Sequence, residues 1–238
     1  MIPGPQSTPP RTGPSAFLPL VKVCGLTTVR DALECAKAGA DWIGLNFHPA
    51  SPRFVDITVA AEIVEGLPSH VQAVGLFVDR SVDDVRRIAE RVGLRKVQLH
   101  GREPVEHIAE LQPLEVVRAF RLADSSSIDA MISHLAEADR LGHPPFAVLV
   151  DAYVLGVPGG TGRSIPDRLL ALLPSLPRLI LAGGLTPENV AERVAAVQPW
   201  MVDVAGGVET APGVKDSALV LRFSTNARTG FEKAVAGS

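Results

Sequence analysis

Eight short runs rich in β-branched residues alternate with longer segments of helical spacing, and this alternation constrains the fold more than any other feature. The strand-like runs are, in order, VKVCG, DWIGLNF, AVGLFV, KVQLHG, LEVVRAFRL, FAVLVDA, RLILAGG and WMVDVAGG. Strands that alternate with helices indicate βαβ units and a parallel sheet. Eight such units in 238 residues predict a single α/β domain, a closed (β/α)8 TIM barrel, over an open doubly wound sheet.

Capping signals support this arrangement of helices. We expect the pair Thr27–Thr28 to start the first helix and Gly39 to end it. Ser81 and Gly93 bound the third helix in the same way. Thr186, followed directly by a proline and a glutamate, predicts the start of the helix after the seventh strand.

The composition excludes several classes of protein. The formal net charge is −3 and aromatic residues make up 5% of the chain, which argues against a nucleic-acid partner. No apolar run approaches the roughly 18 residues that span a bilayer, so we expect no membrane partner. Two cysteines form neither a disulfide framework nor a CxxC zinc pair, which predicts a reducing, cytoplasmic location.

The N-terminal segment differs in character from the rest of the chain. Residues 1–19 contain six prolines and lack the charged start and apolar core of a secretory signal. We interpret residues 1–19 as a Pro-rich disordered extension and residues 20–238 as the (β/α)8 catalytic domain.

Several strands carry polar residues at positions predicted to face the barrel interior. Strand residues alternate between the interior and the helix layer, so the valines of VKVCG facing the helices would turn its lysine and cysteine inward. The polar residues on the inward parity are Lys22, Cys24, Gln98, His100, Asp151 and Asp203. A buried cysteine is more often a small hydrophobe, and Asp151 alone could cap a loop. Their gathering at the C-terminal mouth instead favours an active site.

Glycine pairs follow three of the predicted strands, at Gly159-Gly160, Gly183-Gly184 and Gly206-Gly207. Glycine lets the backbone approach a ligand closely, and backbone N–H groups near helix N-termini bind phosphate oxygens. Barrels frequently bind phosphate at the loops after strands seven and eight. The last two pairs lie there, which predicts a phosphorylated small molecule as the substrate.

The chain resembles the phosphoribosylanthranilate isomerases of tryptophan biosynthesis from about residue 21 to residue 223. The matching stretches are VKVCGLT (21–27), GADWIGLNFHPASPRFV (39–55), GLFVD (75–79), VQLHG (97–101), Asp151 with GGTG (159–162), LAGGLTPENV (181–190), DVAGGVE (203–209) and PGVKD (212–216). Other phosphosugar barrels share the glycine loops but not KVCGLT, SPRFV or QLHG.

The resemblance implies roles for individual residues. Cys24 becomes the general base, Asp151 the general acid and Arg53 the partner of the anthranilate carboxylate. Gln98, His100 and Asp203 are assigned to substrate binding at the same mouth. The phosphate site comprises Gly160, Gly183, Gly184, Ala205, Gly206 and Gly207.

The implied reaction is an Amadori rearrangement of N-(5′-phosphoribosyl)anthranilate to the 1-deoxyribulose 5-phosphate derivative. Asp151 has to carry a proton at the start, and Cys24 has to act as a thiolate, which requires a lowered thiol pKa. No metal or organic cofactor is expected, because the substrate itself provides the electron sink. We expect a phosphosugar–anthranilate substrate and a monomer or homodimer.

The phosphate loop departs from the family pattern. Family members commonly carry two serines after the Asp-Val of strand eight, where this chain has Ala205 and Gly206. Two hydroxyl donors are therefore lost, and backbone N–H groups must carry more of the phosphate binding.

The alternation of inward and outward strand residues also predicts a feature that the family resemblance does not include. Lys22 shares the inward parity of Cys24, and Asp203 lies on the adjacent eighth strand. We expect a buried Lys22–Asp203 pair beneath the site, with the ammonium group favouring the Cys24 thiolate.

Three other interpretations compete with this assignment. A metal-dependent pentose-phosphate epimerase could use His48, His100 and Asp151 as ligands, but it would leave Cys24 idle. Indole-glycerol-phosphate synthase chemistry needs a catalytic lysine at the C-terminal end of a strand. Lys22 and Lys96 do not meet this requirement, because they lie too low in the barrel or at a strand start. A non-catalytic anion-binding barrel would not need the intact acid and base.

Overall fold

A computed structural model describes residues 20–152 and 164–236 of the chain. Eight parallel strands close into one barrel in chain order, as the alternation predicts. The strands are β1 Leu20–Cys24, β2 Trp42–Asn46, β3 Gln72–Phe77, β4 Lys96–Leu99, β5 Glu115–Leu122, β6 Ala147–Ala152, β7 Leu179–Leu181 and β8 Met201–Val204. The predicted extension over 1–19 lies outside the described residues.

Eight helices lie outside the strands of this described barrel. They are α1 Val29–Lys37, α2 Ile57–Gly66, α3 Val82–Val92, α4 Glu106–Glu110, α5 Ser125–Arg140, α6 Asp167–Leu170, α7 Val190–Val197 and α8 Ser217–Ala236. After β8 the chain adds a short 3-10 turn at Gly206–Val208 and a small antiparallel hairpin, β9 Glu209–Ala211 and β10 Val214–Lys215. In the described part of the chain, no helix is both long and apolar enough to cross a membrane.

Most of the predicted helix boundaries are confirmed. Thr28 caps α1 by accepting a hydrogen bond from the Asp31 backbone N–H, and Gly39 follows its end with a φ of 98°. Ser81 caps α3, and Gly93 ends it in the left-handed conformation. Such side-chain caps satisfy backbone N–H groups that the helix itself leaves free.

The predicted start of the seventh helix at Thr186 is wrong by several residues. The Asn189 side chain accepts a hydrogen bond from the Thr186 N–H at 2.9 Å and donates one to the Gly184 carbonyl at 2.9 Å. These bonds hold the segment from Thr186 to Asn189 as a turn, and α7 begins at Val190. The loop after β7 is therefore fixed to the helix by a side chain.

Two apolar layers surround the strands. The larger one packs the outward strand faces against the helices, and a separate cluster fills the lower barrel interior. The buried interior residues are Trp42, Val74, Val117, Ala119, Ala147, Leu149, Ile180, Ala182 and Met201. Burial of each large aliphatic side chain stabilises the fold by about 1.5–3 kcal/mol. This floor lies below the C-terminal ends of the strands, where most of the inward-facing polar side chains lie, as parity predicts.

Candidate active site

A pocket of about 610 Å³ opens at the C-terminal mouth of the barrel, directly above the apolar floor. Its walls come from the ends of β1, β2, β3, β4, β5, β6 and β8 and from loops that follow them. The structure places seven of the predicted site residues on this pocket, namely Cys24, Arg53, Gln98, His100, Asp151, Asp203 and Ala205. The predicted residue Gly160 lies outside the described residues.

The expected ion pair beneath the pocket is present. Lys22 is fully buried, and its Nζ donates a hydrogen bond to Asp203 Oδ1 at 3.0 Å. The two residues stand side by side in the register of β1 and β8, the pair of strands that closes the barrel. Burial opposes the charged ammonium, but Asp203 and Cys24 outweigh it and raise the pKa of Lys22.

The expectation of a lowered pKa for the Cys24 thiol is wrong. Burial raises the pKa of the Cys24 thiol, because a thiolate surrounded by protein loses the hydration it would have in water. Lys22 and Lys215 lower this pKa and Asp203 raises it, so the ammonium group acts in the predicted direction without prevailing. The protein therefore holds Cys24 largely as a thiol and keeps two cations near it.

Asp151 is held from two sides at the end of β6. Its Oδ1 accepts a hydrogen bond from the Ala152 N–H at 2.8 Å, and its Oδ2 lies 3.6 Å from His100 Nε2. Gln98 Nε2 lies 2.7 Å from His100 Nδ1. An amide N–H donating to Nδ1 leaves the imidazole proton on Nε2, which faces the Asp151 carboxyl.

Gln98 has unused hydrogen-bonding capacity. Its side chain is fully buried, and its Oε1 has no hydrogen-bond partner in the described part of the chain. A buried acceptor without a donor costs about 1–3 kcal/mol. A hydroxyl group of a bound ligand in the pocket would satisfy it.

An ion pair that the sequence did not predict holds Arg53 at the pocket. Its Nε and Nη2 donate to the two carboxylate oxygens of Glu209 at 2.9 and 2.7 Å. Lys215 Nζ donates to Glu209 Oε1 at 2.6 Å from the other side. Glu209 and Lys215 lie in the motifs DVAGGVE and PGVKD, so the sequence resemblance marked both stretches without giving either residue a role.

A second, smaller pocket adjoins the first and shares Asp151, Asp203 and Ala205 with it. Its remaining walls are mostly backbone, from the loops after β7 and β8, and include Gly183, Gly184, Gly206 and Gly207. Gly183 has a φ of 87°, and a Cβ there would lie 2.5 Å from the Ala152 nitrogen, so only glycine fits. Neither Ala205 nor Gly206 offers a hydroxyl group, which leaves backbone N–H groups as donors to an anion.

Possible metal ligands do not gather at the mouth. His48, His100 and Asp151 all line the pocket. Within residues 20–152 and 164–236, however, no three histidine, cysteine, aspartate or glutamate side chains come close enough together to hold a metal ion. The geometry therefore offers the metal-dependent epimerase interpretation no ligand set.

The fold and the mouth define a class of protein. A closed (β/α)8 barrel with an acid, a thiol and an arginine beside a glycine-walled pocket is an α/β-barrel enzyme with the architecture used for phosphorylated small molecules.

Comparison with known proteins gives the family within that class. The family model for N-(5′-phosphoribosyl)anthranilate isomerase matches residues 21–226, and the chain belongs to this family. It is accordingly an isomerase of tryptophan biosynthesis, which converts N-(5′-phosphoribosyl)anthranilate by an Amadori rearrangement.

Relatives and solved structures agree with this assignment. The chain is 45% identical to the N-(5′-phosphoribosyl)anthranilate isomerase of Geobacter metallireducens over 87% of this chain and 98% of that protein. It is 46% identical to the Geobacter sulfurreducens enzyme over the same shares. The crystal structure of the Thermotoga maritima enzyme superposes with a TM-score of 0.78 at 31% identity, covering 88% of this chain and 98% of that one.

Proposed function

We propose that Cys24 is the general base and Asp151 the general acid of this isomerisation. The observation that carries the proposal is that both residues line one pocket, at the ends of β1 and β6. The glycine-walled pocket, which shares Asp151, provides the adjoining site for the phosphate group. A substrate seated there extends its sugar ring across the space between the acid and the base.

From these positions the proposed reaction proceeds in three steps. Protonated Asp151 donates to the furanose ring oxygen, and the ring opens to a Schiff base. Cys24, as a thiolate, removes the proton from C2′ and gives an enolamine, which tautomerises to the ketone. The substrate's own amine accepts the electrons, so the scheme needs no cofactor. Such acid–base steps contribute about 10²–10⁴-fold each to the rate.

Substrate contacts complete the proposal. Arg53 binds the anthranilate carboxylate, and Gln98, His100 and Asp203 bind the opened sugar. A solved relative is a complex with reduced 1-(o-carboxyphenylamino)-1-deoxyribulose 5-phosphate, which supports a ligand of this shape at the mouth. The substrate is thus a phosphosugar joined to anthranilate, and the assembly is a monomer or homodimer in the cytoplasm.

The test is conservative replacement of each proton-transferring group. We expect Cys24→Ser and Asp151→Asn each to lower kcat by at least about 10²-fold, because each removes one proton transfer and leaves the phosphate contacts. The measurement is the fluorescence change on anthranilate consumption with freshly made substrate. Both variants should still bind the reduced product analogue with nearly wild-type affinity. Wild-type turnover in either variant would show that the acid or the base is wrongly assigned.

A further inference from the structure

Glu209 is a buried carboxylate enclosed by cations and backbone. Its side chain is only 4% exposed, and those of Arg53 and Lys215 are 13% and 1% exposed. Besides these two cations, its Oε1 accepts from the Gly213 N–H at 3.3 Å. Burial alone would raise the pKa of Glu209, but the hydrogen bond from Arg53 and the charge of Lys215 reverse this and lower it. Glu209 is therefore ionised.

The three side chains form a line of alternating charge that stops at the pocket. It runs from the ammonium of Lys215 through the carboxylate of Glu209 to the guanidinium of Arg53. Two cations flank one anion, so the line carries one uncompensated positive charge. Within the described residues Arg53 has no second carboxylate partner, and its Nη1 makes no hydrogen bond.

The guanidinium is held in one orientation. Glu209 engages Nε and Nη2 in a bidentate pair, the arrangement that fixes the plane of an arginine most firmly. The aliphatic stem of Arg53 lies against Gly25, so closely that a Cβ on Gly25 would fall 2.5 Å from Arg53 Cδ. Among the described residues, Nη1 is the only one of the three nitrogens without a hydrogen-bond partner, and Arg53 lines the same pocket as Cys24.

We propose that Glu209 is a specificity-determining positioning residue, which aims Arg53 Nη1 so that a carboxylate on the substrate's aromatic ring completes the alternating line of charge. With that carboxylate bound, the line contains two cations and two anions. The site therefore selects an arylamine ribosyl phosphate that carries a carboxylate over the same molecule without one. This inference rests on the proposed function, since it uses Arg53 as the carboxylate partner.

Lys215 extends the effect to the rest of the mouth. Its Nζ also donates to the carbonyl oxygens of Cys24 at 2.6 Å and Ala205 at 3.1 Å. One ammonium group thus joins the strand that carries the base, the loop that borders the phosphate pocket and the carboxylate that aims Arg53. The hairpin β9–β10, which supplies both Glu209 and Lys215, fixes all three relative to one another.

The test compares two ligands that differ only in the carboxylate. One is reduced 1-(o-carboxyphenylamino)-1-deoxyribulose 5-phosphate, and the other is the same compound prepared from aniline. The ratio of their dissociation constants, measured by calorimetry, reports carboxylate recognition free of phosphate and sugar contacts. For the wild type we expect the carboxylated ligand to bind at least about tenfold more tightly, as for hydrogen bonds between charged groups.

Glu209→Gln should reduce this ratio at least about fivefold while changing the affinity for the aniline ligand less than about twofold. Glu209→Asp, which keeps the charge but shortens the side chain, should restore part of the ratio. Arg53→Met and the double variant Arg53→Met/Glu209→Gln should have equal ratios, because Glu209 acts through Arg53. This equality separates positioning of Arg53 from a general loss of structure.

Three results would overturn the inference. The first is an unchanged ratio in Glu209→Gln, and the second is an equal loss of affinity for both ligands. A wild-type enzyme that turns over substrate yet binds both ligands alike also refutes it, while leaving the acid and base assignments intact. Conversely, wild-type turnover in Cys24→Ser would refute the proposed function even if the ratio behaved as expected.

Discussion

At the scale of single residues, the charge environment of Cys24 is the feature most open to measurement. The thiol lies in a buried position where desolvation opposes ionisation, and the ammonium groups of Lys22 and Lys215 favour it. The same low-dielectric surroundings that penalise the thiolate also strengthen its attraction to these cations. The ionisation of Cys24 therefore depends on a balance of opposing effects that one substitution can shift.

Lys22→Met should move the thiol pKa of Cys24 upward. Of the remaining influences, burial and the Asp203 carboxylate raise this pKa and only the weaker charge of Lys215 lowers it, so the thiolate fraction at neutral pH falls. We expect the profile of iodoacetamide alkylation rate against pH to shift toward higher pH, so that alkylation at pH 7 becomes slower. A Cys35→Ala background removes the second thiol, whose pKa burial raises to about 12.

Matched variants serve as controls for this measurement. Lys37→Met, at an exposed lysine that pairs with Glu34, should leave the profile unchanged. Asp203→Asn removes a carboxylate that raises the pKa, so it should shift the profile the opposite way. Removing one partner of a buried pair costs about 3–5 kcal/mol of unfolding free energy, which urea titration would register. A Lys22→Met profile that coincides with that of the parent would refute the electrostatic role.

At the scale of secondary-structure elements, β2 makes room for the Cys24 side chain at the end of β1. Gly44 is paired in register with Cys24, and a Cβ at Gly44 would lie 2.6 Å from the Cys24 Sγ. An alanine there cannot be accommodated unless the thiol moves, because interior atoms are already in contact.

Gly44→Ala should therefore impair catalysis as well as stability. We expect kcat to fall at least about tenfold as the sulfur is displaced, together with a loss of about 1–3 kcal/mol from overpacking. Gly66→Ala in α2 is the control, since its Cβ would meet only Val29 Cγ1 at 3.8 Å, and its kcat should not change. Steady-state assays and urea unfolding of both variants decide the point, and an active Gly44→Ala enzyme would show that the sulfur position is not critical.

The sequence predicted the arrangement of strands and helices better than it predicted individual contacts. The alternation of inward and outward residues along a strand correctly predicted that Gln98, His100 and Asp151 face the mouth, because a strand in a closed barrel has only two faces. The same alternation correctly predicted the contact between Lys22 and Asp203. These are consequences of local pattern and of the fixed chain order of the strands.

Interactions of the final hairpin could not be derived in this way. The pairing of Arg53 with Glu209 joins residues 156 positions apart, and no periodicity relates an irregular loop to a two-stranded hairpin. The sign of the Cys24 pKa shift was likewise beyond the sequence, since it depends on how completely the thiol is desolvated. The start of α7 shifted because the Asn189 side chain stabilises a turn that capping rules do not anticipate.

At the scale of the whole molecule, the barrel is complete without the Pro-rich segment. The first strand begins at Leu20, and the family match begins at residue 21. We propose that residues 1–17 are dispensable for catalysis. A chain that starts at residue 18 should keep kcat and KM within about twofold of the full-length values and melt within a few degrees of it. A large loss of activity in the shortened chain would assign a role to this segment.

The closure of the barrel between β1 and β8 has a consequence for how the enzyme forms during synthesis. Lys22 and Asp203 are 181 positions apart, and Lys215 and Glu209 arrive later still. A chain emerging from the ribosome therefore displays Cys24 and Lys22 early but acquires Asp203, Glu209 and Lys215 only when the last strand and hairpin dock. We expect a translation product that ends before β8 to have no activity toward the substrate.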